Sequence, residues 1–308
     1  MSSVSMELDI QAEVVSTETV KPSSPTPSTL GTWKLSLLDQ LSPPVHIPTI
    51  LYYATSVTLG NPHSLLPPCW KDQRSLKLRT RFVFDAAAIS ALKAKARSQL
   101  VPKPSAVVAV LSFIWKCAMA ASGKPTKQSV LACAVNLRPR MVPPLSVYCV
   151  GNMAWQAMAT SMLSDEDERE KQLSNLVCML TAAIAKVDRD HAQGLQGVTR
   201  FRKVSSFWEE MERTYSSESL EGPVTTYVAS SWCKLGFNEV DFGWGKPLWV
   251  SHSGGKFLPL VPNIILMDSG RGGDQIEAWV ALGEHEMHIL EHDAEFTSFA
   301  TLNPSIIA

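Results

Sequence analysis

Residues Ser230–Pro247 read S-S-W-C-K-L-G-F-N-E-V-D-F-G-W-G-K-P, and two glycines there, Gly243 and Gly245, bracket Trp244 just after Asp241 and Phe242. Glycines so placed mark a tight turn whose backbone enters conformations that other residues avoid. The Asp241 carboxylate stands where it can receive local N–H groups or an arginine. The turn is flanked by strand-like stretches at 224–232 and 247–252. Farther on, N-I-I-L-M-D (263–268) and I-E-A-W-V-A-L (276–282) bracket Gly270-Arg271-Gly272-Gly273-Asp274, a hairpin pattern. That glycine run lacks the G-x-x-x-x-G-K-[ST] pattern and a following helix, so it is not a phosphate loop. A last helix is predicted over roughly 284–300.

Upstream, K-L-R-T-R-F-V-F (77–84) reads as a strand, and Asp85 then caps a helix through Ala88, Ile89, Leu92 and Ala96. Pro104-Ser105 opens a second helix, with Val108, Leu111, Trp115 and Met119 on one face. Residues 128–137 have the small and branched composition of a buried strand. Ser164 and Asp167 fit a capping signature for a long helix with Leu173, Leu176, Leu180, Ile184 and Val187 on one side. Nearer the start, 9–21 alternates like a strand, 22–29 is a proline-rich connector, and 45–53 is a strand interrupted by Pro48. Between them the elements predict an α/β protein, a mixed sheet with helices packed on it and no internal repeat.

The 308 residues have room for about two domains. With 45% apolar and 19% charged residues the chain is globular in type, and a net charge of -1 gives no support to phosphate-backbone binding. Neither nucleic acid nor a membrane is an expected partner: the uncharged windows 40–70 and 141–163 are broken by prolines and glycine. Cys69, Cys117, Cys133, Cys149, Cys178 and Cys233 are scattered, without metal spacing, and read as buried thiols of a reducing, cytoplasmic compartment. The first thirty residues have no signal-peptide core.

Asp241-Phe242-Gly243-Trp244-Gly245 resembles the C-terminal signature of the plant BAHD acyl-CoA-dependent acyltransferases, and the residues before it look most like the vinorine synthase branch. Other blocks fall in that family's order: Lys21–Thr29, Leu35–Tyr53, Asn136-Leu137-Arg138-Pro139-Arg140 with Pro143-Pro144 and Gly151-Asn152, Glu277-Ala278-Trp279-Val280, and Asn303-Pro304-Ser305. The resemblance implies the chloramphenicol acetyltransferase-like fold, a monomer, acyl-CoA (acetyl-CoA foremost) as co-substrate and a small alcohol as acceptor. It also implies transfer by direct attack on the thioester, with no bound cofactor, no metal and no covalent enzyme intermediate.

The family's chemistry rests on H-x-x-x-D, whose histidine takes the acceptor's proton. Four residues after His46, His63, His191, His252, His285, His288 and His292 stand Ile50, Pro67, Leu195, Lys256, Ile289, His292 and Phe296. None is aspartate, so no catalytic residue of that kind is assigned. The motif belongs between the strand ending at Tyr53 and the one beginning near Ser75, where this chain has only a turn-rich stretch. The expected layout is therefore 1–56 as a remnant of the N-terminal domain, 57–75 as a junction, and 76–308 as a C-terminal domain.

By resemblance, Asp241 forms a salt bridge with Arg138, or failing that Arg140. Trp249 stands where hydroxycinnamoyl-transferring relatives place an indole N–H that reaches the oxyanion, though a core role is equally open. Lys234 occupies the acceptor-binding position where shikimate-using relatives carry an arginine, which disfavours a shikimate product. Where the family begins a helix with P-T-R-V-E, this chain has Pro104-Ser105-Ala106-Val107-Val108. Ser105, Ser230 and Ser231 sit in no G-x-S-x-G elbow, which discards a serine hydrolase. His285, His288 and His292 share a helical face suited to zinc, but an acidic last helix with exposed histidines is the preferred account.

Two functions follow as expectations. One is O-acylation of a hydroxyl on an alkaloid or other specialised metabolite. The other is a catalytically inactive remnant, or the product of a skipped exon or faulty gene model, that binds a protein partner on the face left by the missing domain.

Overall fold

The computed structural model describes residues 49–53, 77–123, 128–149, 151–162, 172–196, 200–215, 224–252, 262–270 and 274–304. The expected strand at 9–21, the connector at 22–29, the junction at 57–75, the Ser164–Asp167 capping signal and Arg271–Gly273 lie outside the described residues.

Strands β1 (Thr49–Tyr52) and β6 (Trp249–His252) form an antiparallel ribbon. The other seven strands among the described residues are β2 (Lys77–Phe84), β3 (Gln128–Asn136), β4 (Ala154–Met162), β5 (Val224–Ser231), β7 (Asn263–Asp268), β8 (Ile276–Gly283) and β9 (Thr301–Leu302). They make one sheet in the order β4-β3-β5-β7-β8-β2-β9. The pairs β3–β5 and β5–β7 are parallel and the rest antiparallel, which makes the sheet mixed as expected. Parallel neighbours need long crossovers, and helices α3 (Leu173–Lys186), α4 (Arg189–Gly194) and α5 (Arg200–Tyr215) lie between β4 and β5.

One face of the sheet packs on helices. Helix α1 (Ala86–Lys95) starts where the Asp85 carboxylate accepts the Ala88 N–H, and α2 (Ala106–Ser122) where Ser105 Oγ accepts that of Val108. Such caps satisfy donors that the first helical turn leaves open. Helix α2 is buried over most of its surface, and its Trp115 donates its indole N–H to Ser129 Oγ of β3 at 2.8 Å. Phe82 and Phe84 of β2 meet Phe113 of α2 and Phe296, mostly edge to face, and each buried ring contributes about 1.5–3 kcal/mol.

The predicted last helix is two: α6 (Glu284–His292) ends at Asp293, whose carboxylate then caps α7 (Ala294–Thr297) through the Phe296 N–H. The uncharged window 141–163 holds edge strand β4, and no described helix is long and apolar enough to cross a membrane.

The opposite face carries Arg81, Glu277, Trp279, Ile265 and Met267, which follow from the registers Arg81↔Trp279, Ile265↔Trp279 and Met267↔Glu277. The β1–β6 ribbon lies there, with Val250 buried against Ile265 and Met267.

Candidate functional site

The segment from Ser231 to His252 leaves β5, passes through two tight turns and returns as β6. Lys234 and Gly236 both have positive φ, 65° and 77°. The Lys234 N–H is held by Asp268 Oδ2 at 2.5 Å, and Asn238 Nδ2 donates to the Asp268 carbonyl at 3.3 Å. The Lys234 side chain is exposed. Trp232, Phe237, Asn238, Val250, Met267 and Asp268 line a shallow surface depression beside it.

In the second turn Gly243 and Gly245 have φ of 98° and 89°, and Asp241 Oδ1 accepts both of their N–H groups, at 2.7 and 3.0 Å. This corrects the expected Asp241–Arg138 salt bridge. Arg138 spends its guanidinium on main-chain carbonyls, with Nε and Nη2 on Cys149 at 3.0 and 2.9 Å and Nη2 on Gly151 at 2.8 Å. Arg140 Nη1 donates to the Asn136 carbonyl at 2.7 Å. A carboxylate two residues from a glycine N–H closes its own turn at little entropic cost, so no distant arginine is needed. Phe242 and Trp244 are left 65% and 71% exposed, with the Tyr53 ring edge-on to Trp244 at 5.6 Å.

Trp249 opens β6 and is buried. Its indole N–H donates to Glu277 Oε2 at 3.1 Å, and Glu277 Oε1 pairs with Arg81 at 3.1 Å. The Arg81 guanidinium lies 5.2 Å from the Trp249 ring centroid, and the Tyr52 ring stacks on Trp249 with centroids 4.9 Å apart. The N–H expected to meet an oxyanion is thus engaged by a carboxylate. Arg81 also donates to the Pro304 carbonyl.

The remaining nominated groups fall elsewhere. Ser105 Oγ is a helix cap, and Ser230 and Ser231 are half-buried on β5. The His288 and His292 rings are 4.4 Å apart, and His292 Nδ1 is 2.8 Å from the His288 carbonyl. Among the described residues no group of three or more His, Cys, Asp or Glu is placed to hold a metal. His191 lies against Trp155 with its Nε2 buried, and burial first, then Lys203, lowers its pKa.

The family model described as Transferase family matches residues 10–66 and 59–297. The chain belongs to the BAHD acyltransferase family. Limonoid 7-O-acetyltransferase of Citrus sinensis is 41% identical over 232 residues, 73% of this BAHD chain and 49% of that protein. Vinorine synthase of Rauvolfia serpentina is 35% identical over 216 residues, 68% of this chain and 45% of its own length. A crystal structure of vinorine synthase superposes with a TM-score of 0.54 at 30% identity, covering 72% of this chain and 48% of that one. TRI101 of F. sporotrichioides, solved with coenzyme A and T-2, has a TM-score of 0.55 at 20% identity over 80% of this chain and 55% of its own, a likeness of fold alone. This BAHD chain spans about half the length of the curated relatives it matches.

The structure brings Trp249 together with Glu277 and Arg81, gathers Asp241 to Gly245 into one turn, and leaves Arg138 outside both. Sequence reasoning missed Glu277, Arg81, Tyr52 and Tyr53. A signal was there for the first two: a lone Glu in the apolar strand I-E-A-W-V-A-L needs a buried cation, and the strand K-L-R-T-R-F-V-F supplies arginines.

Proposed function

We propose that this chain is an acyl-CoA-dependent O-acyltransferase unit that moves an acetyl-like group from acetyl-CoA to a hydroxyl of a specialised metabolite, an alkaloid or a limonoid-like alcohol. The observation that carries this is its 41% identity over 232 residues with an acetyltransferase named for a limonoid hydroxyl. In the reaction the acceptor oxygen bonds to the thioester carbonyl carbon, the carbon–sulfur bond breaks, and the hydroxyl proton ends on the coenzyme A thiol. Residues 76–308 supply the C-terminal domain, and 1–56 a remnant of the N-terminal one. Support comes from the family match, whose two segments meet at 59–66, inside the proposed junction.

A second reading is favoured by one observation: no histidine of the chain is followed four residues later by aspartate. Loss of a general base costs about 10²–10⁴ in rate, so the chain would bind acyl-CoA without turning it over at a useful rate. Purified chain is incubated with acetyl-CoA and a panel of limonoid and indole-alkaloid alcohols, and thiol release is followed alongside calorimetric titration of coenzyme A. Acceptor-dependent release supports transfer. Binding without release supports the second reading, and neither binding nor release overturns both.

A further inference from the structure

Helix α5 begins R-F-R-K-V-S-S-F, so Arg202 and Arg200 stand three and five residues before Ser205. Arginine-directed serine kinases read that spacing, because guanidinium groups at set distances from the hydroxyl pair with fixed carboxylates of the kinase. Arg-x-Arg occurs three times in the chain. After Arg81 and Arg140 the third residue is Phe84 and Pro143, so only the pair at Arg200 and Arg202 leads to a hydroxyl. The other two pairs are also engaged in the fold: Arg81 holds Glu277, and Arg138 holds main-chain carbonyls.

The structure leaves this hydroxyl within reach. Ser205, Ser206 and Arg202 are exposed, while Val204 is buried in the core. The Phe207 ring lies 4.6 Å from that of Trp155, and Lys203 Nζ donates to the Asp190 and His191 carbonyls at 3.3 and 3.2 Å. Val204, Phe207 and Lys203 make these attachments, and the Ser205 hydroxyl takes no part in them. Kinases take their substrates in extended form, so the start of α5 has to unwind locally. Its charges favour that. Arg202 and Lys203 lie in the first turn, at the positive end of the helix dipole, while Glu209, Glu210 and Glu212 follow toward the negative end. The stabilising arrangement is the reverse. Segments held by few buried apolar contacts are also those that open most readily.

We propose that Ser205 is a phosphorylation site for an arginine-directed serine kinase, with Arg200 and Arg202 as the residues that the kinase reads. Ser205 Oγ bonds to the γ-phosphorus of ATP, the bond from that phosphorus to the β–γ bridging oxygen breaks, and ADP leaves. The hydroxyl proton passes to the carboxylate base of the kinase. The chain gains roughly two negative charges at neutral pH. In the re-formed helix they lie one turn from Arg202 on one side and one turn from Glu209 on the other. Ser206 has Lys203 three residues before it and Phe201 five before it, so Ser205 is the preferred acceptor. The site does not rest on acyl transfer.

The test incubates the folded full chain with magnesium ATP and a kinase that requires arginines three and five residues before serine, and maps the phosphate by peptide mass spectrometry. Phosphate is expected on Ser205. Arg202→Ala is expected to slow the transfer roughly tenfold or more, and Ser205→Ala to abolish it. The same Arg202→Ala change in a synthetic peptide of residues 198–209 should show the same loss without depending on the fold. A peptide that is not a substrate overturns the proposal, and so does a full chain left unmodified while the peptide is phosphorylated. Transfer to Ser206 or elsewhere in place of Ser205, or a rate that Arg202→Ala leaves unchanged, overturns it as well.

Discussion

Trp249 gives its indole N–H to Glu277 across 3.1 Å, and the same carboxylate holds Arg81 at 3.1 Å with both charged side chains under 5% exposed. Deleting one member of a buried pair leaves the other charge uncompensated, which costs about 3–5 kcal/mol. Glu277→Ala is therefore expected to lower the urea midpoint sharply. Trp249→Phe keeps the ring but removes one donor from the carboxylate, for about 1–3 kcal/mol. A Glu277→Ala chain as stable as the wild type would show that the pair does not hold the ribbon.

Asp241 and Arg138 are predicted to act independently. Asp241→Ala removes the acceptor of two glycine N–H groups at an exposed turn, a loss of about 0.5–1.5 kcal/mol. In a double-mutant cycle with Arg138→Ala the two losses should add within about 0.5 kcal/mol, as for residues that share no partner. A coupling well above that, measured by denaturant unfolding, would restore the ion pair.

His191 makes stability depend on pH in one direction. Burial lowers its pKa below the ordinary 6.5, with Lys203 adding to the effect and Asp188 opposing it. The unfolded chain then binds the proton more readily than the folded one. Its contribution is whole above pH 6.5 and is lost as the pH falls through and below that value. Urea unfolding between about pH 7 and 5 should show a steeper loss for the wild type than for His191→Gln. Equal slopes would remove His191 from the account.

The thiols of Cys117 and Cys133 should resist modification. Burial pushes Cys117 up to about 12, assisted by Glu295, and Cys133 up to about 11. Since the thiolate is the reactive form, both should label slowly in the native protein and rapidly once it is unfolded. Fast labelling of either one at neutral pH, located by peptide mass mapping, would contradict this.

How far the sequence foretold this structure depends on the range of the interactions involved. The strand at 77–84 and the helices capped by Asp85 and Ser105 were legible because alternation, period and cap chemistry are local. Helices α4 and α5 went unforeseen, although Asp188 caps the first through the His191 N–H. So did β4, whose alternating burial from Trp155 to Ser161 was hidden in an uncharged window dominated by its prolines. At Asp241 the local option, a carboxylate receiving nearby N–H groups, is what forms, and the long-range pair implied by resemblance is not. The Arg81–Glu277 contact depends on a register between strands nearly two hundred residues apart, which no local pattern encodes.

That register also dictates an order of assembly. Phe84 pairs with Ile276, and at roughly 5–20 residues per second a ribosome releases the two about 10–40 s apart. The hairpin of β3 and β4 can close against α2 early. β2, with the apolar rings of Phe82 and Phe84, has to wait for β8, so the nascent chain carries an unpaired strand through most of its synthesis.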